Sequence, residues 1–378
     1  MHPRRAVLPP VAFLLLTIGA VANVLGALAF IPDRGSDFSL LYQSTESWLH
    51  GLPPYVSAQP TTNLNHPLLW IVIAPFTMLP ESRAFLAWTL VSLVLFALAA
   101  DRVSGVVGVA MREIVVITLS LTGTVFGLAL GQVGLILMVP VTIAWYLWRN
   151  GRTTGAGACL GLICVLKPFF GLFLVMLIAR RAWQAVLSFS AAAVGAVVAG
   201  WLLAGTAGYV AWFANLRHVT WTWHIFNASV WGIGARLFGP QVPPSATEWT
   251  PLAMSPLASV TVGVVGVLIT VIMLARALPR ADADHAFALV ALGSLLVSPL
   301  GWTYYLATMC APVLAVLARQ RSQWLWLLGA AASCPYALLV NRHYGKVGTV
   351  IAGQLSFATV AALFTVVYLS ARGQSGGR

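Results

Sequence analysis

Charge is what this sequence has least of. Only 8% of its 378 residues are Asp, Glu, Lys or Arg, against roughly 25% in soluble globular chains. Nine residues are acidic. The lysines are Lys167 and Lys346, and every other basic residue of the Lys+Arg set is arginine. With 60% hydrophobic residues, such a chain cannot hide its apolar surface from water. A soluble domain is excluded, and a polytopic membrane protein is indicated. Cysteine is scarce too: Cys159, Cys164, Cys310 and Cys334 all lie inside apolar segments. No pair has metal-ligand spacing, so they read as small core residues. There is no P-loop and no GxGxxG after a strand, so chemistry driven by a cytosolic nucleotide is excluded. The formal net charge of +12 does not indicate nucleic acid, because the arginines sit between apolar segments, as the positive-inside rule expects.

What is present is a series of apolar runs. They lie near 7–30, 67–79, 83–100, 113–130, 132–148, 154–166, 168–179, 183–204, 255–277, 285–299, 301–318, 324–340 and 348–371. The first is too long for the core of a signal peptide and reads as an uncleaved span. With Arg4 and Arg5 in the cytoplasm, residues 34–66 fall outside. If 67–79 crossed, Arg102, Arg112, Arg149 and Arg152 would fall outside as well, against the rule. If 67–79 dips in and returns, those four, Arg180, Arg181, Arg276, Arg280, Arg319, Arg321, Arg372 and Arg378 are all cytoplasmic. The expectation is an all-α protein of about twelve spans with both termini inside, forming one membrane-embedded domain over 1–378. Its large outer loops are 33–82 and 205–254. Runs 154–166 and 168–179 must form a short hairpin hinged at Lys167-Pro168.

The stretch "DFSLLYQSTESWLHGLPPYV" follows the first span. Apolar residues recur at Phe38, Leu41, Tyr42, Thr45, Trp48, Leu49 and Leu52, the spacing of an amphipathic helix over about 37–50. Ser36 is placed to cap it and Gly51 to end it. The expectation is a helix lying at the membrane interface with Trp48 at headgroup depth. Asp37 falls in its first turn. It can serve the helix dipole or the cap, or act as a general base that the helix N-terminus keeps ionised. Glu46 belongs to the solvated face.

The runs "DFSLLYQSTESWLHGLPPYV", "LNHPLLWIVIAPFTMLP", "GQVGLILMVPVTIAWYLWRNGR", "GLICVLKPFFGLFLVMLIARRAW", "NASVWGIGARLFG" and "SPLGWTYYLA" resemble, in order, the GT87 (DUF2029) glycosyltransferases. These have the GT-C fold and use polyprenyl-phosphate sugars, as in actinobacterial phosphatidylinositol-mannoside mannosyltransferases and cell-wall arabinofuranosyltransferases. The resemblance covers most of the chain up to about residue 310. It implies inverting transfer, from a polyprenyl-phosphate sugar to a glycolipid or glycan acceptor, with Asp37 as the catalytic base. Asn65-His66-Pro67-Leu68 departs from the Tyr-x-Pro-Pro common in relatives, which bears on substrate identity.

Such a site needs a base for the acceptor hydroxyl and cations for the departing phosphate. For the phosphate the candidates are His343, Arg342, Lys167, Arg236 and Arg217. Lys167 stands out because it interrupts an apolar stretch, where charge is costly and calls for a partner. For sugar and acceptor they are Tyr42, Asn65, His66, Trp223 and Asn227. No cofactor and no metal are expected, and the partners are membrane lipids and the two substrates. Mannose is the first choice of sugar and arabinofuranose the second. A transporter would show repeats and broken helices in matching halves, and no such halving is visible. An assembly partner with a dead site is disfavoured by the intact Asp37. A groove ending beside Asp37 would favour the transferase.

Overall fold

The computed structural model describes residues 8–30, 35–55, 63–217, 219, 221–239, 251–320 and 345–373. Among these residues the fold is all-helical, with a single isolated bridge between Asn227 and Trp302. The helices are α1 (Pro10–Phe30), α2 (Ser36–Leu49), α3 (Leu69–Ile73), α4 (Glu81–Val107), α5 (Met111–Ser120), α6 (Thr122–Leu130), α7 (Gly134–Arg149) and α8 (Thr153–Leu166). They continue as α9 (Phe173–Ala179), α10 (Trp183–Arg217), α11 (Val230–Phe238), α12 (Pro256–Ala277), α13 (Ala283–Val297), α14 (Cys310–Gln320) and α15 (Gly345–Gly373).

Among the described residues, five helices are long and apolar enough to cross a membrane, or six if the bent pair α5–α6 is one span. By length and composition alone, this does not reach the expected twelve. The run near 324–340 lies outside the described residues. Six further apolar helices have only 10–17 residues, where a lone span needs roughly 20. The clearest case is α13. Every residue from Asp284 to Leu296 is buried, because α7, α9, α12, α14 and α15 surround it. A helix walled by protein need not match the hydrocarbon thickness, since lipid never meets its ends. The long helices are the outer ones. On α12, Leu257, Leu268 and Ile269 stay exposed, as do Leu187 and Leu202 on α10. Those faces are stable only against lipid.

Two glycines let α8 lie on α10. A Cβ at Gly157 would meet the Ala185 carbonyl oxygen at 2.3 Å, and one at Gly161 the Phe189 carbonyl oxygen at 2.2 Å. This small-xxx-small spacing allows the close backbone approach typical of membrane helix pairs. Beyond it, α10 breaks at Gly205, whose φ is 65°.

The 67–79 run folds as α3 continued by a 3-10 turn, Ala74–Met78, and both pieces pack on α2. The α2 helix itself departs from expectation. Gly35, with φ 77°, is its N-cap, so Ser36 is already helical. Phe38, Ser39, Leu40, Leu41, Tyr42, Ser44 and Thr45 are buried, while Leu49 and Leu52 are exposed. The helix is held by protein on most of its first three turns. Trp48 donates its indole N–H to the Leu203 carbonyl at 3.0 Å.

At one end of the bundle the loops are locked by charge. Buried Asp284 accepts from Trp145 Nε1 at 2.9 Å, pairs with Arg149 at 3.2 Å and also binds Arg319. Arg319 reaches Asp282 at 2.8 Å, and Arg180 donates to the Ala281 carbonyl. Loops after α7, α9, α12 and α14 therefore meet at one end, as their arginines suggested. Asp284→Ala should strand a buried indole and two guanidiniums. Both arginines are partly solvated, so the cost should be about 2 kcal/mol, below the 3–5 of a fully buried pair. Thermal unfolding in detergent should show a lower Tm; a Tm equal to wild type would show that the cluster is no lock.

Candidate functional site

The other end of α13 carries a cavity. It lies about 20 Å from Asp284, the length of a fifteen-residue helix. The cavity holds about 730 Å³. Its wall combines the start of α2, the strap 63–65, Leu130 and Gln132, the 166–169 hinge, the turn at Trp221–His224, and residues 297–305. Aspartate 37 and Lys167 are the two charged side chains among its lining residues; the rest are apolar, aromatic or neutral, with His224.

Asp37 gets there through a turn that only glycine fits. Gly131 has φ +78°, and a Cβ on it would sit 2.5 Å from Cβ of Phe38. Its carbonyl accepts the Trp88 indole N–H at 3.0 Å, and the Gly35 N–H donates to the Ala129 carbonyl at 2.8 Å. The start of α2 is thereby pressed onto the α6–α7 junction, and Gln132 donates its amide N–H to Asp37 Oδ2. The carboxylate is thus used across the fold; no side chain caps the start of α2. Burial raises its pKa above the usual carboxylate range, and the Gln132 hydrogen bond and the Lys167 charge only partly oppose this. Burial thus acts against the helix N-terminus, which was expected to hold Asp37 ionised.

Lys167 ends α8 in an extended conformation, before Pro168. Its ammonium donates to Asn65 Oδ1 at 2.8 Å and lies 5.3 Å from the centre of the Tyr305 ring. The helix therefore breaks at Lys167-Pro168, and the lysine charge lies on the cavity wall. The partner Asn65 is itself fixed. Asn63 Oδ1 accepts from the Asn65 N–H at 2.9 Å, and Tyr55 donates to the Asn65 carbonyl at 2.9 Å. Asn63 donates to Ser44 at 2.8 Å and Trp212 to the Leu64 carbonyl at 3.2 Å.

Of the residues proposed from sequence, Asp37, Lys167 and Asn65 share the cavity wall. His343 and Arg342 lie outside the described residues. The others stand behind or away from it. His66 is buried, with Nε2 2.6 Å from the Tyr209 hydroxyl and its Nδ1 accepting from the Leu68 N–H. Burial lowers its pKa to about 4, so it is a neutral tie between the strap and the segment after Gly205. Asn227 is fully buried and spends its whole amide on backbone. It donates to the Thr222 and Pro299 carbonyls and accepts from Ser229 and Gly301 N–H groups. Arg236 is also fully buried and donates to the His224 and Asn227 carbonyls at 3.1 and 2.9 Å. These two hold the 221–229 turn against residues 298–302. Tyr42 donates to the Leu79 carbonyl at 2.8 Å, fixing the end of the 67–79 run. Trp223 and Arg217 are not on the wall, whereas their neighbours Trp221 and Leu216 are.

Sequence reasoning missed Gln132, Trp221, His224, Trp302, Tyr304 and Tyr305 as wall residues. Gln132 carried a signal, since a lone amide between two apolar runs has no solvent role there. His224 accepts the Phe226 N–H on Nδ1 at 3.2 Å, and burial and then the Arg236 charge lower its pKa to about 4. Its proton then sits on Nε2. Trp302 and Tyr304 stack with ring planes 14° apart, and Trp302 meets His224 edge-on. Flat aromatic faces beside hydrogen-bonding groups are suited to a sugar ring.

No curated protein matches the chain. The model of glycosyltransferase family 87 matches residues 63–299. That span includes Asn65, Gln132, Lys167, Trp221, His224 and Ser298 of the cavity wall and begins after Asp37. It covers more than half of the sequence, and the chain belongs to glycosyltransferase family 87.

Proposed function

We propose that the chain is an inverting glycosyltransferase of the cytoplasmic membrane. It moves a sugar, mannose before arabinofuranose, from a polyprenyl phosphate to a lipid-linked or cell-envelope glycan acceptor at the outer face. Family membership supports glycosyl transfer. The observation that carries the mechanism is one carboxylate and one ammonium on the wall of a single cavity, with no other charged side chain among its described lining residues. Asp37 accepts the proton of the acceptor hydroxyl. The freed oxygen forms its bond to the anomeric carbon on the face opposite the phosphate. The bond from carbon to phosphate oxygen breaks, and the electron pair leaves with the lipid phosphate. Lys167 offsets the negative charge that grows there. A second carboxylate, which a retaining or hydrolytic site would need, is not among the described lining residues. Leu40, Leu130, Leu166 and Leu216 on the wall offer apolar surface for an isoprenoid. No metal is required in this reading, since Lys167 supplies the cation.

The test is an assay of the purified chain with labelled polyprenyl-phosphate sugars and membrane glycolipid acceptors. Asp37→Asn keeps the shape and cannot accept a proton, so turnover should fall by roughly 10² or more with donor binding intact. In the wild type, the base works only when deprotonated. Because burial raises its pKa, kcat should fall as pH drops through a value above the ordinary carboxylate range, about 4. Near wild-type transfer by Asp37→Asn, or an acid limb at the ordinary value, would place the base elsewhere.

The outer placement of the site includes a re-entrant 67–79. The ten residues of α3 and its 3-10 continuation reach only about 15–20 Å, and both pack on α2. A cysteine placed at Ser82 in a background lacking the native cysteines should react with an impermeant maleimide added outside intact cells. Labelling only after the membrane is opened would overturn the layout.

A further inference from the structure

A second cavity, of about 470 Å³, lies between the last turn of α12 and the last turns of α15. It belongs to the end of the bundle that holds the Asp282 and Asp284 cluster, away from Asp37. Arg276, Ala277, Arg280, Tyr368, Ala371 and Arg372 line it. Half of these are guanidiniums and none is a carboxylate. The nearest acids along the chain are already committed: Asp282 to Arg319 and His285, and Asp284 to Arg149, Arg319 and Trp145. The cavity floor is made by Ala277, Tyr368 and Ala371, which are 2–7% exposed. Arg372 lies 5.9 Å from the Tyr368 ring centre.

The positive-inside bias explains arginines at this end. It does not by itself gather three of them around one hollow, where an anion can meet several guanidiniums at once. The walls say what kind of anion fits. Leu268, Ile269 and Ile272 on α12 and Leu369 on α15 are 48–60% exposed, so both helices face lipid just above the hollow. Arg276 stands one helical turn beyond Ile272. A ligand held by its phosphate at the arginines can lay acyl chains along that apolar face.

We propose that this cavity binds the phosphate headgroup of an anionic phospholipid in the leaflet opposite the Asp37 cavity. Arginine suits a phosphate because its planar fork donates two parallel hydrogen bonds. Basic pockets between membrane helices are known to take such headgroups. Inorganic phosphate offers the same head chemistry without the chains. The site is independent of the transferase reading, and its test needs no activity.

The experiment is a lipid titration of the full chain in neutral detergent, read by native mass spectrometry. Phosphatidylglycerol and phosphatidylcholine of equal chain length are the probes, with inorganic phosphate as competitor. Phosphatidylglycerol should bind about tenfold tighter than phosphatidylcholine and resist displacement by phosphate. R276Q/R280Q should lose about that tenfold, 1.4 kcal/mol, and R276K/R280K should keep most of it. R102Q/R112Q removes two charges outside the hollow, where Arg102 covers Tyr146 and Arg112 covers Phe13. It should change affinity by less than about twofold. If R276Q/R280Q does not fold, the single variants R276Q and R280Q are compared with R102Q in the same way. Equal losses in both double variants would reduce the effect to general surface charge. Equal binding of the two lipids, or ready displacement by phosphate, would also overturn the proposal.

Discussion

A carboxylate and an ammonium held on one cavity wall inside an apolar bundle form the constraint around which the surrounding structure is arranged. Placing a lysine within an apolar stretch costs roughly 2.5–3.5 kcal/mol on insertion scales. The fold offsets that cost with the Asn65 oxygen at 2.8 Å, the face of Tyr305, and the charge of Asp37. The carboxylate in turn leans on Gln132 and on Lys167. Each charge partly offsets the cost of burying the other.

Much of the polar structure at this end serves to hold that pair still. The strap 63–66 is tied by Asn63, Tyr55, Trp212 and His66, and its one free-facing product is the Asn65 oxygen aimed at Lys167. Gly131 brings α2 close enough for Asp37 to meet Gln132. Asn227 and Arg236 brace the aromatic turn that carries Trp221 and His224. A site held by buried hydrogen bonds moves little as charge develops, which is where electrostatic catalysis gains its advantage. The lock at Asp284 does the same service at the other end of α13, so the helix carrying Val297 and Ser298 to the cavity is fixed at both ends.

The membrane class and the helical architecture were legible because composition and apolar runs report them directly. Asp37, Lys167 and Asn65 were legible for a related reason: a charge or amide that interrupts apolar sequence needs a partner. The same logic singled out Asn227, Arg236 and His66, whose polar groups the fold pairs with backbone and tyrosine behind the cavity wall. Sequence cannot separate these cases, since both need a buried polar residue beside a turn. The span count was harder still. Sequence length assigns each short run to the bilayer alone, whereas α13 is sheltered on all sides by other helices. Likewise, the capping role given to the first turn of α2 ignored the α6–α7 junction, which is distant in sequence and close in space.

The most direct measurement is a structure of the chain with a non-transferable polyprenyl phosphonate sugar bound. The account predicts the phosphonate oxygens within hydrogen-bond reach of Lys167 Nζ and the anomeric carbon on the side of Asp37, with the sugar beside Trp302 or Trp221. A phosphonate bound away from Lys167, with Asp37 on no path to the anomeric carbon, would contradict it.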